Sequence, residues 1–230
     1  MHEAETVREA KAEMGAAVAS DLATGKRSLG LTGTKLEARD VNESAREAAR
    51  GKGLLQGEDV RVSTSHGERS FAAGDRVIFT RNHKNLNVKN GDLGTVQSLT
   101  GADGQAVIKV QLDRGGERLV DSRTYDHVDH GYAVTVHKSQ GSTVDRAHVL
   151  AAENGMSSRE WSYVSASRAR EETHLHSDRA TLAEIAPAWS KARQKDVTLD
   201  YAPAPKPERH QPEKEPAREH EHGPAWERTR

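Results

Sequence analysis

No cysteine occurs in the 230-residue chain, which excludes disulfides, iron–sulfur clusters and cysteine zinc sites. Aromatic residues make up only 4%, so any core has to be aliphatic. Neither sign of charge prevails. Lys and Arg together number 34 against 35 for Asp and Glu, so no global field draws the chain to nucleic acid and a basic surface has to be local. No apolar run is long enough to span a membrane, and charge at Glu3 argues against a signal peptide, which leaves a soluble cytoplasmic protein as the expectation. The phosphate-loop pattern G-x-x-x-x-G-K-[ST] is also missing. Gly25-Lys26-Arg27 and Gly51-Lys52-Gly53 are the nearest strings, and no acidic pair follows an apolar strand. The chain alone is therefore not expected to hydrolyse a nucleoside triphosphate.

What is present divides into segments. Val7, Met14, Val18 and Leu22 share one face of a predicted helix over Glu3 to Ala23, which stops at Thr24-Gly25-Lys26. Ser28 to Gly33 reads as a short buried strand, and Leu36 to Arg50 as a second helix ending at Gly51-Lys52-Gly53. From Asp59 the hydrophobic period falls to two, and the turn dipeptides Asn90-Gly91 and Asp103-Gly104 separate short strands, as in a small β-barrel. Near Val128 the α/β pattern resumes, with strands expected at Ala147–Ala152 and Thr173–His176 and a helix from Asp178 that Pro187 ends or kinks. Six of the 7 prolines lie between Pro203 and Pro224 among charged residues, so disorder is expected from Leu199 onward. The expected divisions are residues 1–58, a barrel at 59–127, a return at 128–198 and a tail at 199–230.

Two phrases carry the chemistry. The first is Tyr132-Ala133-Val134-Thr135-Val136-His137-Lys138-Ser139-Gln140-Gly141-Ser142-Thr143-Val144-Asp145. It reads as a buried strand followed by a loop whose side chains donate hydrogen bonds and carry no acid before Asp145. Such a loop at the carboxyl end of a strand suits phosphate, on a nucleotide or on a nucleic-acid backbone. The second phrase, Tyr163-Val164-Ser165-Ala166-Ser167-Arg168-Ala169-Arg170, reads as a helix offering arginines beside small residues.

These phrases resemble motifs five and six of superfamily-one helicases, and their wording is closest to the helicase half of TraA-like conjugative relaxases of the MobF type. The resemblance spans Glu3 to Asp178 and implies part of a second RecA-like domain. Phe71 to Val77 and Lys89 to Val96 resemble the SH3-like barrel inserted in RecD-type helicases. The implied fold class is α/β: a partial RecA-like parallel sheet, an inserted SH3-like barrel and a disordered tail.

The resemblance also implies roles. Arg168 would act as an arginine finger on the γ-phosphate of ATP, with Mg, held by a first RecA-like domain outside this chain. Gly141, Ser142 and Thr143 would lie against the nucleotide. His137, Lys138, Ser139 and Gln140 would meet single-stranded DNA. Where many relatives carry an acid against the nucleotide sugar this chain has Thr143, so Thr143 or Asp145 would have to substitute. The implied partners are single-stranded DNA and the first RecA-like domain or relaxase portion of the same system.

Other readings stay open from the residues alone. Arg81, Lys84 and Lys89 lie in a basic, acid-free run from Thr80 to Asn90. It either tracks a phosphate backbone or forms a solvated loop, and it offers no aromatic ring for stacking. The histidine pairs His127/His130 and His174/His176 lack cysteines or a convergent carboxylate set, so no metal site is expected. A stand-alone single-strand-binding or docking module, or an inactive gene remnant, is the alternative to a motor part.

Overall fold

The computed structural model describes residues 2–139, 143–151 and 168–184. Gln140, Gly141 and Ser142, the stretch from Tyr163 to Ser167, Pro187 and the proline-rich tail lie outside the described residues.

Two T-x-x-E phrases set the helix starts. Thr6 and Glu9 form a capping box at the head of α1 (Val7–Ala23), and Thr34 and Glu37 form another at α2 (Lys35–Gly51). In the second, the Glu37 amide donates to Thr34 Oγ1 at 3.2 Å and the Thr34 amide donates to Glu37 Oε2 at 2.8 Å. The box at Thr6 corrects the expected helix over Glu3 to Ala23. The chain before it forms a short strand instead, β1 (His2–Ala4).

A parallel sheet forms on one side of these helices. Its strands are β1, β2 (Ser28–Thr32), β10 (Ala133–Thr135), β11 (Val144–Leu150) and β12 (Ala169–Asp178), in the order β1-β12-β11-β2-β10. Leu29, Leu31, Val134, Val149 and Leu175 pack together in one core cluster. Met14, Val41, Ala133 and Leu150 pack in another, beneath the helices. Gly30 is fitted to that helix side, since a Cβ there would lie 2.9 Å from Met14 Cε and 2.8 Å from Ala133 Cβ.

Between α2 and β10 the chain builds antiparallel strands. β3 (Gln56–Thr64) pairs with β4 (Gly67–Ala73). A second sheet runs β8-β7-β6-β5-β9, from β5 (Arg76–Phe79), β6 (Leu93–Ala102), β7 (Gln105–Leu112), β8 (Glu117–Asp121) and β9 (Val128–His130). Both enclose one apolar core that includes Val62, Phe71, Phe79, Val96, Ile108 and Val120, so both phenylalanines join the aliphatic side chains expected there. Asp103 (φ 54°) and Gly104 (φ 79°) form the β6–β7 turn, the conformation that an Asp-Gly dipeptide favours in a tight hairpin.

The root of this insertion is fixed to the helices. Asp75, fully buried, accepts from the Arg46 guanidinium, from the Ala72 amide at 2.7 Å and from the Tyr132 hydroxyl at 2.8 Å. Gly74 allows this approach: its φ is 95°, and a Cβ there would lie 2.0 Å from the Leu54 carbonyl oxygen. The free side of β10 is closed by Asn42 of α2. Its Oδ1 accepts from the Tyr132 and Ala133 amides at 2.9 Å each, and its Nδ2 donates to the Ala133 carbonyl at 2.8 Å. An edge strand that would otherwise invite pairing is thereby capped by a side chain.

Candidate functional site

β2 and β10 are parallel neighbours, with Thr135 opposite Thr32, so the segments leaving their carboxyl ends emerge at the same edge of the sheet. After β2 comes the amino terminus of α2, with Lys35 in its first turn. After β10 comes a tight turn, in which the amides of Lys138 and Ser139 donate to the Thr135 carbonyl at 2.8 Å and 3.1 Å. The carboxyl ends of parallel strands are where open α/β sheets place ligand sites. Lys35 and Lys138 both sit there, and neither has an ion pair among the described residues.

Burial lowers the Lys138 ammonium from its ordinary pKa; nearby Asp129 opposes this and Lys35 adds to it. The two lysines thus repel each other across a partly dry space, which an anion would relieve. That space belongs to a cleft of about 820 Å³, lined in part by Lys35, Arg39, Thr135, Lys138, His66 and Arg69. Arg39 and Arg69 are already engaged, with Glu43 at 3.0 Å and Asp129 at 2.8 Å. Among the described residues, the uncommitted positive charge in the cleft is that of the two lysines.

The inserted strands close the other side. A Cβ at Gly91 would lie 3.3 Å from the Lys138 carbonyl oxygen, so the 89–92 turn rests on the loop after β10. His66 extends the surface, with its Nε2 3.1 Å from Thr80 Oγ1, and Arg81 Nη1 lies 3.2 Å from His127 Nε2. Of the two basic segments singled out in the sequence, Lys138 lines the cleft, whereas Arg81, Lys84 and Lys89 are not among its lining residues. Lys84 and Lys89 are exposed on the loop. Tyr125 packs against His83 and His127 but is itself buried, so it offers no open stacking platform.

Several expectations need correction. Ser139 is fully buried and its hydroxyl donates to the Val136 carbonyl at 2.7 Å, so its side chain holds the turn. Asp145 is taken by Arg27. It accepts from the Arg27 amide at 2.9 Å and from the guanidinium at 2.7 Å, which lowers its carboxyl to about 2. It is not free to meet a nucleotide sugar. The helix expected through Arg170 does not extend that far, because Arg168 lies in a turn and Ala169 and Arg170 begin β12.

Thr143 and Arg168 come together at the opposite edge. The Val144 amide donates to the Arg168 carbonyl at 3.0 Å, at the start of two parallel strands. His137 and Lys138 are thus separated from Arg168 by the height of the sheet, about 20 Å for a strand as long as β11. Lys35 and His66 were missed in the sequence because nothing local marks them. Only the pairing of β2 with β10 and the folding back of β4 bring them to Lys138.

Comparison with known proteins agrees with the two phrases. Residues 130–176 match the family model of the UvrD-like helicase C-terminal domain. The chain is 38% identical over 181 residues to the conjugal transfer protein TraA of Agrobacterium fabrum, covering 76% of this chain and 16% of that protein. It is 33% identical over 183 residues to a probable conjugal transfer protein TraA of Sinorhizobium fredii, covering 78% and 16%. Among solved structures, the Pif1 helicase from Candida albicans superposes with a TM-score of 0.48 at 16% identity, covering 74% of this chain and 50% of that chain. Bacteroides Pif1 bound to single-stranded DNA gives 0.47 at 18% identity, covering 72% and 46%.

Proposed function

We propose, for a chain that carries the helicase C-terminal domain of a TraA-like conjugal transfer protein, that it grips the backbone of single-stranded DNA at the Lys35–Lys138 edge and meets ATP at the Arg168 edge. The observation that carries this reading is the pair of lysines, neither in an ion pair among the described residues, facing one cleft at the carboxyl ends of β2 and β10. Two ammonium groups held together in this way are a receptor for phosphate. Thr135, nearly buried on the cleft wall, adds a hydroxyl, and the exposed Arg81, Lys84 and Lys89 would extend the track along the inserted strands. The parallel sheet is read as the second RecA-like domain of a motor and the inserted strands as its SH3-like barrel.

ATP and Mg would be held by a first RecA-like domain that meets the Arg168 and Thr143 edge of the sheet. An arginine fork there would neutralise charge on the transferring phosphoryl group. His137 and Lys138 at the one edge and Thr143 at the other are close in sequence, which would couple the two events. Because the chain spans only 16% of the length of its TraA relatives, stepping along DNA during conjugal transfer is proposed for the whole protein, not for this segment by itself.

The test is fluorescence anisotropy with a labelled single-stranded oligonucleotide at two salt concentrations, comparing the chain with Lys35→Ala plus Lys138→Ala. Salt-sensitive binding that the substitutions weaken supports the edge as the track. Binding that they leave unchanged while Arg81→Ala plus Lys84→Ala removes it moves the track to the inserted strands. Absence of binding by the folded chain at low salt overturns the reading for this segment. The Arg168 role is tested in a full-length TraA-like protein, where Arg168→Ala is expected to abolish DNA-stimulated ATP hydrolysis and leave DNA binding intact.

A further inference from the structure

Away from both edges, four histidines gather between α1 and the strands β1, β11 and β12. The His2 ring stacks on His176 with centroids 4.6 Å apart, and the His148 ring stacks on His174 at 5.0 Å. His148 is the hinge of a hydrogen-bonded chain. Its Nε2 lies 2.8 Å from Asp21 Oδ2 and its Nδ1 lies 2.9 Å from His176 Nε2. His148 and His176 are buried, and His176 Nδ1 has no partner among the described residues.

The partners fix where the protons sit. Asp21 is already ionised and neutralised. Burial works to raise its pKa, but hydrogen bonds from His148 and Arg146 outweigh that and lower it, and Arg146 Nη1 lies 2.7 Å from Oδ1. A carboxylate only accepts, so His148 Nε2 carries hydrogen and donates to it. In the neutral ring Nδ1 is then bare and accepts from Nε2–H of His176. That leaves His176 Nδ1 a bare, buried acceptor. A proton added to either ring would leave a buried N–H without an acceptor, and a second would set two cationic rings against each other, with His2 and His174 stacked on them.

We propose that His2, His148, His174 and His176 form a proton-operated latch, which fastens α1 and β1 to the sheet while the rings are neutral and releases them in mild acid. The groups facing it are Asp21 and Ser28 from α1 and β2, Arg146 from β11, and Glu172 from β12, which lies 3.1 Å from His174 Nε2. Among the described residues, the only carboxylate on the buried pair is Asp21, and Arg146 already neutralises it. Glu172 serves the outer ring. Burial lowers the affinity of both inner rings for protons, and His148, His2 and His174 lower that of His176 further. β1 has three residues and its only strand partner among the described residues is β12, so it is the element least able to hold once its ring stack is lost.

Two measurements decide it. Long-range proton–nitrogen NMR of the histidine rings in the unsubstituted chain at pH 7.5 is expected to show both inner rings neutral and in the Nε2–H form. A cationic ring there, or an Nδ1–H form, overturns the proposal. Hydrogen–deuterium exchange, corrected for intrinsic rates, is then compared at pH 7.5 and 5.5 for the parent and for His148→Gln plus His176→Gln, in which amides replace the titrating rings. Protection of α1 is expected to fall at least tenfold more in the parent. Equal losses in parent and variant overturn the latch.

Discussion

Tyr132 donates its hydroxyl to Asp75 Oδ1 at 2.8 Å, and this contact ties the chain entering β10 to the turn between β4 and β5. Arg46 of α2 completes the junction by also gripping Asp59 at 2.6 Å. Asp75→Ala would leave the half-shielded Arg46 charge and the Tyr132 hydroxyl unmatched, and is expected to cost about 3–5 kcal/mol. Tyr132→Phe removes only one donor and is expected to cost about 1 kcal/mol. Urea unfolding of both variants checks the order.

The Lys35 and Lys138 substitutions should act on salt dependence as well as affinity. Each lost phosphate contact is expected to reduce the slope of log K against log salt by about 0.7 for a single strand. A titration at four salt concentrations reads the slope directly. Unchanged slopes in both variants would exclude phosphate contact by these lysines.

Arg27 and Asp145 form a partly exposed pair at the base of β11. Asp145→Asn is expected to lower stability by about 1 kcal/mol and to leave oligonucleotide binding unaltered. In a full-length relative the corresponding change should leave the nucleotide KM unaltered, which separates the structural role seen here from a sugar contact.

Acid should destabilise the fold in two stages. The His176 ring in the folded chain is pushed down to about 3 from an ordinary value of 6.5, mainly by burial. Below pH 6.5 the unfolded chain therefore takes up a proton that the folded chain refuses, and stability falls until the pH approaches 3. Asp145, held at about 2 by Arg27, contributes stability that is present above its unfolded pKa of 3.8 and disappears as pH falls through 2. Denaturant midpoints by circular dichroism between pH 8 and 3 should decline from near pH 6.5. A midpoint flat down to pH 4 contradicts the histidine contribution.

Gly15 offers a test in which propensity and packing predict opposite signs. In a helix interior Gly→Ala gains about 1 kcal/mol from backbone entropy. Here a Cβ would lie 2.7 Å from the Ala45 amide nitrogen and 2.8 Å from Ser44 Cβ, because α1 and α2 touch at this point. Gly15→Ala is expected to destabilise by about 1–3 kcal/mol. A raised thermal midpoint would mean that α2 yields.

Much of the fold was legible in the sequence. The Thr135 to Gly141 phrase pointed to the loop at the end of β10, the Asp103-Gly104 turn to a hairpin, and the change of period after Asp59 to antiparallel strands. The two capping boxes were equally local, and reading them would have started α1 at Val7. The hydrogen bond of Ser139 to the Val136 carbonyl and that of Arg27 to Asp145 could not be read from the sequence, because a polar residue in a loop looks the same whatever it faces.

The sequence by itself determined where α1 and α2 stop and where the β6–β7 hairpin turns, because caps and turns act within a few residues. Only the tertiary structure decided which charges remain uncommitted. Pairing β2 with β10 set Lys35 beside Lys138, and the return of β11 beside β2 assigned Asp145 to Arg27 and His148 to Asp21. Those partners are separated by as many as 127 residues along the chain, and electrostatics and hydrogen bonding depend on distance in space rather than on order in the sequence.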